Sequence, residues 1–205
     1  MILTENTASS FTPCPAGSYL ASLRRIIDLG TQTSTFEGKT TSARKVLLTW
    51  EIVDADTFTE DGKPYLVSKR YTRSLHEKSA LRRDLASWRG RDFTPEELRG
   101  FDLDSVLGRN CMLSVVHVDK AGSTFANVGA VMKAPKSLTG ADPSEPLTLF
   151  DLDKPDWQVF EHLGDKLKAQ IMAAPEYMAA RKPKAPPPLA EGETAFADMA
   201  DDVPF

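Results

Sequence analysis

The sequence predicts a mainly β fold: a small five-stranded barrel with one helix between its third and fourth strands, a C-terminal amphipathic helix and a disordered acidic tail. Three observations carry this. Apolar residues alternate with period two in five separate runs. A single helical stripe interrupts those runs after the third. The last quarter of the chain changes first to helical spacing and then to a Pro-rich, acidic composition.

Each element follows in chain order. Tyr19 to Leu29, set between Gly17 and Gly30, reads as a long first strand. Arg44 to Val53 is the second, with Val46, Leu48, Trp50 and Ile52 on one face. Asp61-Gly62 marks a turn, and Tyr65 to Arg73 is the third strand. Ser74-Leu75-His76-Glu77 has capping-box spacing, and Leu81, Leu85 and Trp88 form a helical stripe that Gly90 stops. Thr94-Pro95-Glu96-Glu97 starts a short helical turn. Cys111 to Val118 and Thr124 to Met132, joined through Asp119-Lys120-Ala121-Gly122, form a second hairpin. Strand, strand, strand, helix, strand, strand is the OB-fold layout. Pro155 then opens a helix with Trp157, Phe160, Leu163, Leu167 and Ile171 on one side, limited by Pro175. That stripe suits packing on the barrel or a homodimer interface. The expected division is a domain over residues 1–178 and a disordered spacer and tip over 179–205.

Charge is divided as sharply as composition. All 25 Lys and Arg precede residue 185, while Glu191, Glu193, Asp198, Asp201 and Asp202 are five of the 29 acids, so the body to Ala190 carries 25 − 24 = +1 and the tail −5. Residues 69–99 hold nine Lys or Arg against five acids, a local +4. No basic segment followed by an apolar run opens the sequence, and no stretch approaches the ~20 apolar residues of a membrane span, so the expectation is a cytoplasmic protein with no membrane partner. Cys14 and Cys111 share no metal-ligand spacing with His76, His117 or His162, and no cofactor or metal is expected.

Single strands are held by cations that follow phosphates and by aromatic faces on which bases stack. Strand three offers both at alternating positions: Lys69, Tyr71 and Arg73, with Tyr65 further along the same side and Leu66 and Thr72 facing away. The alternative is an ordinary solvated strand face. Thr31 to Ser42 reads as the loop between strands one and two. In it Phe36 either closes over a base or folds onto the barrel rim, and Lys39 lies beside it. Arg44 and Lys45 follow as phosphate contacts. Arg89 and Arg91 either contact phosphate or cap helix carbonyls, whereas Trp88 and Trp50 belong to apolar stripes and read as core. Phe125, sharing a strand face with Asn127, is a secondary candidate.

The last five residues, Asp201, Asp202, Val203, Pro204 and Phe205, resemble the C-terminal tip of bacterial and phage single-stranded DNA-binding proteins, which close with several Asp, an aliphatic residue, Pro and Phe. The resemblance implies a hook whose ring and carboxylate fill an apolar, basic-rimmed pocket on a replication or recombination enzyme. Residues 182–190, Lys-Pro-Lys-Ala-Pro-Pro-Pro-Leu-Ala, read as an extended spacer, shorter and richer in Pro than the linkers of the bacterial proteins. The body is not similar to the bacterial barrel. Phe11 to Leu20, Tyr71 to Ser79 and Trp88-Arg-Gly-Arg91 instead resemble phage and prophage proteins assigned to replication or recombination. Together these imply a non-catalytic, sequence-independent single-stranded DNA-binding protein acting in the cytoplasm of a bacterial host. Two rivals remain. One is an adaptor whose tip mimics the host protein's tail. The other is a metal-dependent nuclease using Asp102, Asp104, Asp151, Asp153 or Asp156, which would need carboxylates converging on a metal pair.

Overall fold

The computed structural model describes residues 12–181, apart from residues 55, 121, 136, 138, 139 and 141 and the side chain of Phe36. The spacer, the acidic tail and the Asp201–Phe205 tip lie outside the described residues.

Two very long strands form the backbone of the fold. β1 spans Gly17–Phe36 and β2 spans Lys39–Ile52, paired antiparallel from Ala21↔Ile52 down to Phe36↔Lys39. The expected loop over 31–42 is therefore a hairpin. Thr33 and Ser42, Ser34 and Thr41, and Thr35 and Thr40 pair across it through their hydroxyls. Such β-branched and hydroxylated pairs stabilise a ladder without an apolar face. Glu37 (φ 48°) and Gly38 (φ 75°) make the two-residue turn, the positive-φ geometry that matches strand twist.

β3 (Leu66–Thr72) pairs with β2, β4 (Asn110–Lys120) with β1, and β5 (Ser123–Met132) with β4. The order is β3-β2-β1-β4-β5, and β6 (Thr148–Phe150), too short to stand out in the sequence, adds parallel to β1 at Arg25–Ile27. The sheet is antiparallel apart from β6 and does not close by strand pairing. Helix α1 (Ala80–Arg89) lies against both β3 and β5, at the two ends of that order.

One apolar core fills the concave side of the sheet and another covers part of its outer side. Val46, Leu48 and Trp50 of β2 and Val67 and Tyr71 of β3 point inward, where Leu81, Leu85 and Trp88 of α1 meet them. A bulge at Arg24 keeps both Leu23 and Ile26 on that side, while Ile27, Leu29 and Leu47 face out. The outer group packs under α3 (Trp157–Glu161), α4 (Asp165–Met172) and α5 (Pro175–Arg181). The predicted single C-terminal helix is thus three, broken at Gly164 and Ala174. Its stripe is spent on the sheet, with Phe160, Leu163 and Ile171 buried. The link between α4 and α5 approaches β1 so closely that a Cβ on Gly30 (φ +68°) would lie 2.4 Å from the Ala174 Cβ. The last described helix runs three residues past the expected domain end at 178.

The helix starts differ from their sequence signals. Ser74 does not cap α1. Its hydroxyl accepts from the His76 N–H, and the helix begins after Ser79. The capping box is at α2 (Pro95–Arg99), where the Thr94 hydroxyl accepts from the Glu97 N–H and Glu97 accepts from the Thr94 N–H.

Candidate nucleic-acid interface

β3 alternates as the sequence indicated, but with its faces exchanged. Tyr71 pairs with Val46, Lys69 with Leu48 and Val67 with Trp50, so the Tyr71 side is the core side. Tyr71 is 3% exposed and Tyr65 8%, which removes both as stacking platforms. The Tyr71 hydroxyl donates to Asp84 of α1 at 2.9 Å, and Lys69 Nζ donates to the same oxygen at 2.8 Å. Burial, then the Asp84 charge, pushes the Tyr71 phenol well above its ordinary pKa. These residues pin α1 to the sheet.

Four of the expected phosphate contacts are likewise committed to carboxylates. Arg44 donates to Asp28 and, at 2.9 Å, to Asp153. Arg73 reaches Asp28 at 3.0 Å, Asp153 at 3.1 Å and Asp151 at 3.4 Å. Burial works against the Arg44 charge, but its hydrogen bonds to Asp28 and Asp153 outweigh that and raise its pKa. Arg89 pairs with Glu97 and lies over the rings of Phe93 and Phe101, at 4.5 and 5.2 Å from their centroids. Arg91 holds the same Glu97 through bonds of 2.7 and 2.9 Å. The Arg91 bond foremost, together with the Thr94 N–H, pulls Glu97 down to about 2. Asp151 and Asp153 thus serve as partners for Arg44 and Arg73. Among the described residues no three of His, Cys, Asp or Glu are grouped to hold a metal ion.

The outward face of the β2–β3 pair carries a different set of cations. Lys45 stands opposite Thr72 and Leu47 opposite Arg70. Arg70 is exposed and, among the described residues, joins no ion pair, while Lys45 donates only to the Thr72 hydroxyl at 2.8 Å. Alternation along β2 continues this face through Ala43 and Thr41 to Lys39 at the hairpin tip. Lys39, Lys45 and Arg70 therefore line one face, with Thr41 and Thr72 between them and the buried Leu47 directly beside Arg70. From Leu47 onward the β2 side of the face is covered, Leu47 itself packing in the outer core. Thr49 is buried and hydrogen-bonded with Ser68, and the 2%-exposed Glu51 accepts from Ser144 and Glu145.

A second open surface lies on the β4–β5 ribbon. Phe125, 47% exposed, pairs with Val118, and Val116 pairs with Asn127, all on one outward face. Of the proposed aromatics, Phe125 is an exposed one. The Phe36 side chain is outside the described residues, although its backbone is paired at the tip of the β1–β2 hairpin. Trp50 and Trp88 are core, as their stripes indicated.

Arg70 is the residue that sequence reading missed, and a signal for it was present. Tyr65, Val67 and Tyr71 share a parity with Lys69 and Arg73, three aromatic or aliphatic residues against two cations, which is the pattern of an inward face. Leu66, Ser68, Arg70 and Thr72 share the other.

No protein-family model matches the chain, and no curated protein matches it in sequence. No helix among the described residues is long and apolar enough to cross a membrane.

Proposed function

We propose that this chain is a non-catalytic, sequence-independent single-stranded DNA-binding protein of phage type, built on an OB-fold barrel and serving replication or recombination in a bacterial host cytoplasm. The observation that carries the reading is the Lys39, Lys45 and Arg70 stripe on the outward face of the β2–β3 pair, where the β2 side is open and polar from the hairpin tip to Lys45 and is covered from Leu47 onward. Cations spaced along a strand track phosphates, and hydroxyls between them add neutral donors. The strand order, with α1 inserted between β3 and β4, supports the OB assignment, since strands two and three of that fold carry oligonucleotides. Phe125 supplies a stacking platform on the neighbouring ribbon.

The test is oligo-dT binding across a salt series. Wild type should lose affinity linearly with log salt, at about 0.7 per phosphate neutralised on a single strand. Phe125→Ala should weaken binding by roughly 1–3 kcal/mol with the slope unchanged, because a ring and not a charge is removed. Salt-independent or absent binding would overturn the reading and favour the adaptor.

The tip belongs to the same proposal, with Asp201, Asp202, Val203, Pro204 and Phe205 recruiting replication or recombination enzymes. Deleting residues 198–205 should tighten oligo-dT binding, mostly at low salt, because tethered acids compete with phosphate at an effective concentration near the millimolar range. Phe205→Ala should leave DNA affinity unchanged and abolish enzyme capture in a pull-down. Retention of the same enzymes would remove the hook.

A further inference from the structure

A cavity of about 230 Å³ opens between the sheet, α1 and the segment after α2. Its floor is apolar, formed by Ile26, Val46, Leu81 and Leu85, and the ring of Phe101 lines it, whereas the Phe150 side chain turns away into the outer core. Its volume is that of about eight waters at ~30 Å³ each, which suits a flat body of similar heavy-atom count.

The rim is polar and unbalanced. Of the lining residues Arg73 answers the carboxylates of Asp28 and Asp151, and Arg44 and Asp153 extend that ion-pair network outside the lining. Asp102 and Asp104 add two more, and neither forms an ion pair among the described residues. Burial, then the charges of Asp102 and Asp151, holds Asp104 above the usual carboxylate range. An entering group gains most by presenting hydrogen-bond donors to these acceptors, and a phosphate is repelled.

The mouth is placed for a strand lying on the outward face. Lys45 and Thr72 point out, while their chain neighbours Arg44 and Arg73 point in. The two strands are tied there by the Arg73 N–H donating to the Arg44 carbonyl at 2.8 Å. Thr72, which faces Lys45, is thus the chain neighbour of Arg73, which lines the cavity.

We propose that this cavity is a pocket for one unstacked nucleobase bearing an exocyclic amino group, cytosine or adenine, taken from the strand held by Lys45 and Arg70. The inference rests on the single-strand reading and adds a base preference to it. Phe101 contacts the ring above the apolar floor, and Asp102, Asp104 and Asp151 accept from the amino group, as carboxylates accept from cytosine N4. Thymine turns carbonyl oxygens towards the same acceptors and is disfavoured.

The test compares oligo-dC with oligo-dT of equal length, by fluorescence anisotropy at one salt concentration. Wild type should bind oligo-dC about five- to tenfold more tightly. Leu103→Phe, which fills the cavity from its wall, should abolish that preference and leave oligo-dT affinity as it was. Should that variant fail to fold, the Asp102→Asn/Asp104→Asn pair gives the same readout through the rim, with oligo-dC falling towards oligo-dT. Equal wild-type affinities, or a preference that survives both changes, overturn the pocket while leaving single-strand binding intact. Binding of neither oligonucleotide overturns the single-strand reading and the pocket with it.

Discussion

Trp88→Ala is expected to lower the unfolding free energy by about 3–5 kcal/mol, the range for truncating a buried aromatic. Trp88 is 6% exposed, its ring centroid lies 6.3 Å from that of Trp50, and its Nε1 donates to the Asn110 carbonyl at 2.8 Å. That hydrogen bond ties the last turn of α1 to the first residue of β4, so the side chain joins helix and sheet as well as filling space. The void left would merge with the narrow gap already present between Trp50, Tyr71, Leu85 and Val131. Denaturant unfolding followed by circular dichroism measures the loss. A midpoint near wild type combined with lost DNA binding would show instead that the ring serves as a stacking platform.

The elements legible in the sequence were those whose apolar periodicity spans a whole strand or helix. β2, with Val46, Leu48, Trp50 and Ile52, and α1, with Leu81, Leu85 and Trp88, were readable because burial on one side leaves a regular mark. The β1–β2 hairpin left none. Apart from Gln32, Phe36 and Ala43 beyond its end, this stretch over 31–42 is Thr, Ser, Gly and charge, the composition of a loop, and it forms strands through cross-strand hydroxyl pairs and a two-residue turn rather than through burial. The single C-terminal stripe was a coincidence of phase. Phe160, Leu163, Leu167 and Ile171 keep helical spacing across Gly164, yet the chain turns there to wrap the outer face of β1 and β2. β6 is three residues long and held by parallel pairing to β1, a register no local pattern announces.

The candidate site was misread for one physical reason. Lys69 and Arg73 flank Tyr71 at alternate positions, and a run of cation, aromatic, cation looks like a binding face. Buried acids decide otherwise. Asp84 and Asp28, 6% and 4% exposed, each gather cations from neighbouring elements, and removing such a partner strands a buried charge. Pairing of this kind joins residues 15 to 45 positions apart and has no sequence signature. Local charge density over 69–99 therefore overstated what is open to a ligand, since Lys69, Arg73, Arg89 and Arg91 are all neutralised internally.

Lys69 and Arg70, neighbours on β3, point to opposite faces, and changes on the two faces should have opposite effects. Lys45→Glu combined with Arg70→Glu should weaken oligo-dT binding by on the order of a hundredfold at low salt. Each cation–phosphate pair is worth about 1 kcal/mol at 4 Å in water, reversal turns attraction into repulsion at two places, and screening trims the sum. The salt dependence should flatten by about 0.7 for each phosphate no longer neutralised. Thermal stability should barely change, because neither side chain is buried or joins an ion pair among the described residues. Lys69→Ala should do the reverse, with unchanged oligo-dT affinity and a lower unfolding midpoint, since Asp84 loses the cation 2.8 Å away while remaining 6% exposed. Titrations at two salt concentrations and a melting curve for each protein separate the two faces. Full binding by the Lys45→Glu/Arg70→Glu protein together with weak binding by a folded Lys69→Ala protein would return the interface to the inward side of β3 and require α1 to lift from the sheet when DNA binds.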